Sequence, residues 1–284
     1  RFDYMITNPP FGVSWKSEKE FIESEKENPY GRFTVGTPRS SDGALLFLQH
    51  MISKMERKGS RIGIIFNGSP LFTGDAGSGE SEIRKWIIEK DWLEGIISLP
   101  DQLFFNTGIS TYIWILNNKK SERRQGKVQL IDGSSFFKQM KKSLGNKRKE
   151  VTEEGRNEIL DMYLQFEEGE FCKVYPNEFF GYTKVVIEQP SSEKDKQGNL
   201  KPDSKRRDYE RVPLLDDVDE YFQREVQPHL ADAWMDRSKD KVGYEINFTK
   251  YFYKYMPLRS VSDITQDLLR LDEESEGLMK DILA

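Results

Sequence analysis

From Phe2 to Thr7 the chain alternates, Phe2-Asp3-Tyr4-Met5-Ile6-Thr7, and the alternation stops at two prolines. A period of two marks a β-strand, and Pro9-Pro10 ends it because proline fixes φ and donates no backbone N–H. Helical spacing comes next: Leu45, Leu48, Ile52 and Met55 predict a helix over about 43–57, with Asp42 as its N-cap. Between the two lies 12–41, a polar stretch holding Trp15, Tyr30 and Phe33 among charges. Connections of that length are usually functional, and this one is expected to be a flap over a site. Residues 61–67 are nearly all apolar, as in a parallel strand covered on both faces. A helix at about 80–90 and strands at 94–99, 110–117 and 127–132 follow, the later strands expected to run antiparallel. This order predicts an α/β fold, the second half of a Rossmann-like sheet.

Beyond 133 the pattern changes. Helical segments are expected near 134–141 and 152–166, and an extended stretch at 184–189. Residues 190–213 are rich in Pro, Ser, Lys, Asp and Arg, have little to bury, and read as an exposed polar excursion. A helix is expected from Val218 to Trp234, interrupted near Pro228. Tyr244, Phe248, Tyr251, Phe252, Tyr253 and Tyr255 form an aromatic cluster fit for core or interface. The last 24 residues carry Val261, Ile264, Leu268, Leu271, Leu278 and Ile282 on one side of a helix. Such a face either packs back on its own domain or binds a partner. The expected organisation is therefore a catalytic-domain half over 1–133, an α/β extension over 134–189, the excursion over 190–213 and a mainly helical tail over 214–284.

Charge is segregated. The net charge is −5, yet residues 1–150 hold 24 Lys and Arg against 18 Asp and Glu, and residues 151–284 hold 19 against 30. Residues 119–149 alone carry 11 basic and two acidic side chains. Lys138, Lys141, Lys142, Lys147, Arg148 and Lys149 form the densest part of that strip and are candidate phosphate contacts; a solvated lysine-rich surface is the plain alternative. One cysteine, Cys172, excludes an internal disulfide, and two distant histidines, His50 and His229, make a metal site improbable, so none is expected. No apolar run reaches membrane-spanning length and no signal peptide is visible, which points to a cytoplasmic protein without membrane contact. Gly74-Asp75-Ala76-Gly77-Ser78-Gly79 matches neither the dinucleotide nor the P-loop spacing and reads as a flexible lead-in to a helix.

The strand-end tetrapeptide Asn8-Pro9-Pro10-Phe11 carries the chemistry. An exocyclic amine conjugated with a ring is a poor nucleophile, because its lone pair is delocalised. The Asn8 carboxamide oxygen and the Pro9 carbonyl can each accept one N–H, drawing the amine towards tetrahedral geometry and stabilising the positive charge that develops. Pro10 stiffens the turn, and Phe11 offers a flat apolar face on which an extruded base can stack. The alternative is a plain strand-terminating turn with Phe11 in the core.

Similarity to a known family extends far past the turn. Ser41-Asp42-Gly43-Ala44, Gly59 to Phe66, Leu71-Phe72, Ile83 to Ile88, Gly95 to Pro100 and Leu103 to Thr111 all take part. So do Phe166 to Phe171, Phe180-Gly181-Tyr182 and Val242 to Phe248. Together these resemble the modification (methyltransferase) subunit of type I restriction–modification systems, over nearly the whole chain. The resemblance implies S-adenosylmethionine-dependent methylation of the exocyclic amine of a flipped adenine in double-stranded DNA. It also implies partners: a DNA-specificity subunit, a second modification subunit and a restriction subunit, with the C-terminal helix as the attachment element. Members carry their glycine-rich cofactor loop well upstream of the turn, so the chain is expected to be a C-terminal portion that on its own neither binds S-adenosylmethionine nor folds well. An RNA or protein-glutamine amine methyltransferase shares the turn, and a fragment that only binds DNA and partners is the non-enzymatic alternative.

Overall fold

The computed structural model describes residues 1–194, 200–255 and 257–283, without the side chains of 194 and 276–283. Two compact units form, Arg1–Tyr251 and Phe252–Ala284. In chain order the strands of the main sheet are β1 (Tyr4–Thr7), β2 (Arg61–Asn67), β3 (Leu93–Leu99), β4 (Thr111–Asn117) and β5 (Lys127–Asp132). A separate hairpin of β6 (Lys138–Leu144) and β7 (Lys147–Glu150) follows, and then β8 (Cys172–Pro176), which rejoins the sheet. Its order is β1-β2-β4-β3-β5-β8. Helices α1 (Lys19–Glu27), α2 (Ala44–Ile52), α3 (Ser69–Phe72), α4 (Gly79–Glu89) and α5 (Glu153–Gln165) link the strands.

Strands β1 and β2 are parallel, and β4 runs against both β2 and β3. The expectation that β5 is antiparallel fails, because it pairs parallel with β3. The cause is topological: β4 and β5 do run in opposite directions, but β3 lies between them. The carboxyl ends of β1, β2, β3 and β5 therefore share one end of the sheet.

Every residue of β3 is buried, as a central strand requires. Strand β2 is covered on one face only: Ile62, Ile64 and Phe66 are fully buried, whereas the other face is partly open. On that second face α5 covers the β3–β5 side, through a cluster of Ile97, Leu99, Ile131, Ile159 and Cys172. Towards β1 the face is bare, with Tyr4 76% and Ile6 89% exposed. Cover on both faces was thus the wrong reading of an apolar run.

The expected helix at 134–141 is absent, because β6 occupies that segment. Phe136 and Met140 have helical spacing, but Phe136 packs on the α5 cluster and the chain then turns outward into the hairpin. The excursion is also more ordered than its composition suggests. β9 (Gly181–Glu188), β10 (Pro190–Lys194), β11 (Leu200–Pro202) and β12 (Asp208–Pro213) follow one another, and residues 195–199 lie outside the described residues. β10 and β11 pair antiparallel, while β12 pairs antiparallel with β9 and buries Val212 completely. Between Val218 and Trp234 the helix is short. α6 (Val218–Tyr221) passes into a wide turn over Phe222–Val226, ahead of Pro228, and Trp234 begins strand β13 (Trp234–Met235). With β14 (Lys241–Tyr244), these strands surround β9 in a second sheet that the sequence pattern did not announce.

One buried guanidinium joins the second sheet to the first. Arg84 of α4 donates to the carbonyls of Tyr244 (2.6 Å), Pro70 (3.0 Å), Thr73 (2.8 Å) and Gly74 (3.2 Å). Burial lowers its pKa to about 10, against the raising effect of Tyr182, Glu80 and Glu245. Of the aromatic cluster, Tyr244 and Phe248, at the start of α7 (Phe248–Phe252), are core, and Tyr251 packs on Tyr175, Phe179 and Phe180. Tyr253 and Tyr255 are exposed. In the second unit, α8 (Val261–Leu283) is the expected terminal helix, with Val261, Ile264, Leu268 and Leu271 exposed; the side chains of Leu278 and Ile282 lie outside those described.

Candidate active site

The Asn8-Pro9-Pro10-Phe11 turn leaves the carboxyl end of β1, where open α/β sheets place their ligands. Pro9 is buried and anchors the turn. Asn8 is exposed, and its carboxamide has no protein partner among the described residues. Gly12 takes φ 62°, a left-handed conformation that lets the chain reverse directly after Phe11. The Phe11 ring is half-buried and meets Phe104 edge-on, with centroids 6.5 Å apart and planes at 85°. Phe104 belongs to the loop that leaves the carboxyl end of β3, so two strand ends supply one aromatic corner.

Beside this corner β2 ends at Asn67, whose register partner in β4 is Thr111. Asn67 Oδ1 and Thr111 Oγ1 are buried and have no hydrogen-bond partner among the described residues. Sequence reasoning singled out neither these two nor Phe104 as site residues. Asn67 carried a weak signal, as a carboxamide closing an apolar strand; Phe104 and Thr111 carried only their place in the family-like stretch Leu103 to Thr111.

Segment 12–41 is not the structureless flap expected. It contains α1 and buries Trp15, Ile22 and Phe33 against Leu46 of α2, so two of its four aromatics face their own small core; Phe21 and Tyr30 are open, at 60% and 97% exposure. Trp15 Nε1 donates to the Arg39 carbonyl (3.0 Å), and Gly43 N donates to the Val13 carbonyl (2.9 Å), closing the segment on itself. Asp42 sits one residue before the N-cap of α2 and accepts from Ala44 N at 3.1 Å. A cavity of about 410 Å³ lies between this segment and α2, and Pro10 of the strand-end turn lines it. Arg32 lines it, ion-paired to Glu25 and 2.8 Å from His50 Nδ1. A guanidinium only donates, so that nitrogen accepts.

The basic strip divides in two. Lys120 and Arg124 are buried near the amino end of β5: Lys120 pairs with Asp91 at 2.6 Å, and Arg124 donates to Gln129 Oε1 at 2.9 Å. Arg123 Nη1 donates to the Gln165 carbonyl at the end of α5. These residues serve the fold, at the end of the sheet away from the turn. The second part is the β6–β7 hairpin, which follows the carboxyl end of β5. There Lys138 pairs with Glu150 (2.9 Å), Lys149 pairs with Asp101, and Lys147 Nζ lies 5.3 Å from the Phe105 ring centroid. Lys141, Lys142 and Arg148 are exposed.

The glycine-rich run is closed by protein atoms. A Cβ at Gly79 would stand 1.9 Å from the Thr37 carbonyl oxygen, and Asp75 is held by Lys184, Arg211 and Tyr182. Ser78 caps α4 by accepting from Ser81 N at 3.3 Å. The run is thus a helix lead-in, as its spacing indicated, and not a cradle for a nucleoside. No cluster of His, Cys, Asp and Glu among the described residues has metal-binding geometry, and no helix among them is long and apolar enough to cross a membrane.

Residues 1–196 match the family model for N-6 DNA methylases. The chain belongs to that family. A curated member, the type I restriction enzyme MjaIX methylase subunit of Methanocaldococcus jannaschii, is 30% identical over 169 residues, covering 60% of this chain and 29% of the relative. The HindI methylase subunit of Haemophilus influenzae is 37% identical over 133 residues, covering 46% of this chain and 27% of the relative. The chain thus spans under a third of the length of these N-6 DNA methylases. Among solved structures, the type I restriction-modification methyltransferase subunit of Streptococcus thermophilus superposes with TM-score 0.53 at 26% identity, over 62% of this chain and 34% of that one. The mixed sheet with its helices is that of a methyltransferase fold.

Proposed function

We propose that this chain carries the amine-binding half of an adenine-specific DNA methyltransferase, the modification subunit of a type I restriction–modification complex. The observation that carries the reading is the open Asn8 carboxamide at the carboxyl end of β1, next to the Phe11–Phe104 corner. Asn8 Oδ1 and the Pro9 carbonyl each accept one hydrogen of the exocyclic amine. They become better acceptors as nitrogen gains positive charge, so the contact favours the transition state over the ground state. Pro10 holds the two acceptors in place, and Phe11 stacks on the base once it has left the duplex. The methyl donor implied by the family, S-adenosylmethionine, would supply a methyl group made electrophilic by its sulfonium. The glycine-rich run present here does not fit it, and no residue of this chain is assigned to it.

Lys141, Lys142 and Arg148 of the hairpin face solvent and suit DNA phosphates. Lys138, Lys147 and Lys149, already engaged with Glu150, Phe105 and Asp101, are better placed to shape that surface than to bind it. The exposed apolar side of α8 suits a DNA-specificity subunit, with a second modification subunit and a restriction subunit completing a cytoplasmic assembly.

The test is methyl transfer by the full-length protein, purified with any companion subunit, from tritiated S-adenosylmethionine onto duplex DNA, RNA and protein. Label in the adenine amine of DNA is the expected result. Label in RNA or protein, or DNA binding without transfer, contradicts the reading.

A further inference from the structure

The hairpin and the β3–β4 loop are built to hold one exposed aromatic. Phe105 follows Phe104, so its Cα lies about 3.8 Å from that of the residue that meets Phe11. Its side chain is nevertheless 62% exposed. A single exposed apolar residue needs no explanation, but this one stands on a clamped main chain. Asn146 N donates to the Phe105 carbonyl (2.9 Å), Arg148 N donates to the Gln102 carbonyl (2.9 Å), and Gln102 N donates to the Gly108 carbonyl (3.3 Å). Lys149 ties the hairpin to Asp101. Gly145 makes this approach possible, because a Cβ there would stand 2.5 Å from the Phe105 carbonyl oxygen.

The surroundings are cationic. Lys147 Nζ lies 5.3 Å from the Phe105 ring centroid, and Lys141, Lys142 and Arg148 are exposed on the same hairpin. Ile109 of the same loop and Leu144 of the hairpin are exposed as well. An aromatic on a clamped main chain, with Lys147 beside its ring, three further cations on the same hairpin and the Phe11–Phe104 corner one residue away, has the chemistry of a wedge for a polyanion with stacked aromatic planes.

We propose that Phe105 enters the DNA duplex and fills the space vacated by the flipped base, while the hairpin cations hold the flanking phosphates. The inference rests on the base-flipping reading of the Asn8 turn. The two neighbours divide the work: Phe104, which meets Phe11, stays beside the extruded base, and the exposed Phe105 enters the stack that the base has left. Filling the gap compensates for lost stacking, so the wedge matters most where extrusion is costly.

The experiment is Phe105→Ala in the full-length enzyme, assayed on two substrates: a duplex it methylates, and the same duplex with an abasic site opposite the target adenine. The expected result is a loss of about tenfold or more in kcat/KM on the paired duplex, with near-parental activity on the abasic-opposite duplex, where extrusion is already cheap. Phe105→Trp should retain activity on both, and 2-aminopurine at the target should brighten less with Phe105→Ala than with the parent. Equal loss on both substrates would overturn the wedge by assigning Phe105 to the base pocket or to the fold, and a thermal melt of the variant separates those two outcomes. Unchanged activity on the paired duplex would overturn it as well. Failure of the underlying reading looks different: the parent would then methylate neither duplex, or Asn8→Ala would methylate both.

Discussion

Phe11 of the strand-end turn and Phe104 of the β3–β4 loop meet edge to face, 6.5 Å between centroids, although 93 positions separate them in the chain. Edge-to-face pairs contribute about 0.5–1.5 kcal/mol beyond their buried area, enough to fix the angle of a stacking surface. The relationship makes the loop after β3 part of the candidate site.

A double-mutant cycle follows from that contact. Phe11→Ala should weaken capture of the flipped base by about 1–3 kcal/mol, as expected for one lost base–aromatic stack. Phe104→Ala should lose less, and the two together should lose less than the sum, because the second ring has nothing left to orient. Strict additivity in kcat/KM on one DNA substrate contradicts the corner.

The hairpin should separate binding cations from structural ones. Lys141→Ala, Lys142→Ala and Arg148→Ala should each weaken DNA binding independently of sequence and each lower the salt slope of log Kobs by about 0.9. Lys120→Ala, of a buried lysine paired with Asp91, should leave the slope unchanged and lower the melting temperature. Filter binding between about 50 and 200 mM salt checks both. A slope change for Lys120 and none for the hairpin cations contradicts the division of the strip.

Legibility in the sequence tracked how local each contact is. The Asn8 turn was readable because alternation and two prolines determine a strand and its end within ten residues. β6 was misread, because its hairpin is held by the loop around Gln102 and Phe105 and not by a pattern of its own. β12 and β14 were missed for a similar reason: they pair with β9 from a distance, as in Asp208 with Ile187 and Lys241 with Lys184. Composition marked Lys120 and Arg124 as part of a basic strip, whereas Asp91, Gln129 and Tyr163 draw them inside.

Arg84 should be the most sensitive non-catalytic position. Arg84→Met keeps the volume but removes the donor to four carbonyls, the Tyr244 carbonyl 160 positions away among them. Leaving such buried acceptors unpaired costs on the order of 3 kcal/mol. The melting temperature should fall by roughly 10 °C. A shift of only a degree or two in calorimetry contradicts its place as the tie between the sheets.

Acid should loosen segment 12–43 first. Burial, together with the positive charges of Arg32 and Lys54, holds the His50 pKa below its ordinary value against the opposing pull of Glu25. The Arg32 hydrogen bond likewise holds the Glu25 carboxyl below the usual carboxylate range, in spite of its partial burial. Both groups bind fewer protons folded than unfolded. Their contribution is therefore complete above the ordinary histidine value of about 6.5 and is lost as pH falls, first through His50 and then through Glu25. Protection of peptides spanning 16–43 against hydrogen exchange, taken relative to the intrinsic amide rate at each pH, should fall below about pH 6.5, and His50→Gln should flatten the first phase. Protection that is independent of pH down to the carboxylate range contradicts the assignment.

The central claim is that Asn8 accepts a hydrogen from the amine as it is methylated. The most direct test is single-turnover methyl transfer to a duplex adenine by the full-length enzyme carrying Asn8→Ala, with S-adenosylmethionine affinity measured on the same preparation. The account predicts a rate lower by about 10²–10³-fold, as for a lost oxyanion-hole donor, with cofactor affinity little changed. A near-parental rate, or a loss explained entirely by weaker cofactor binding, would contradict it.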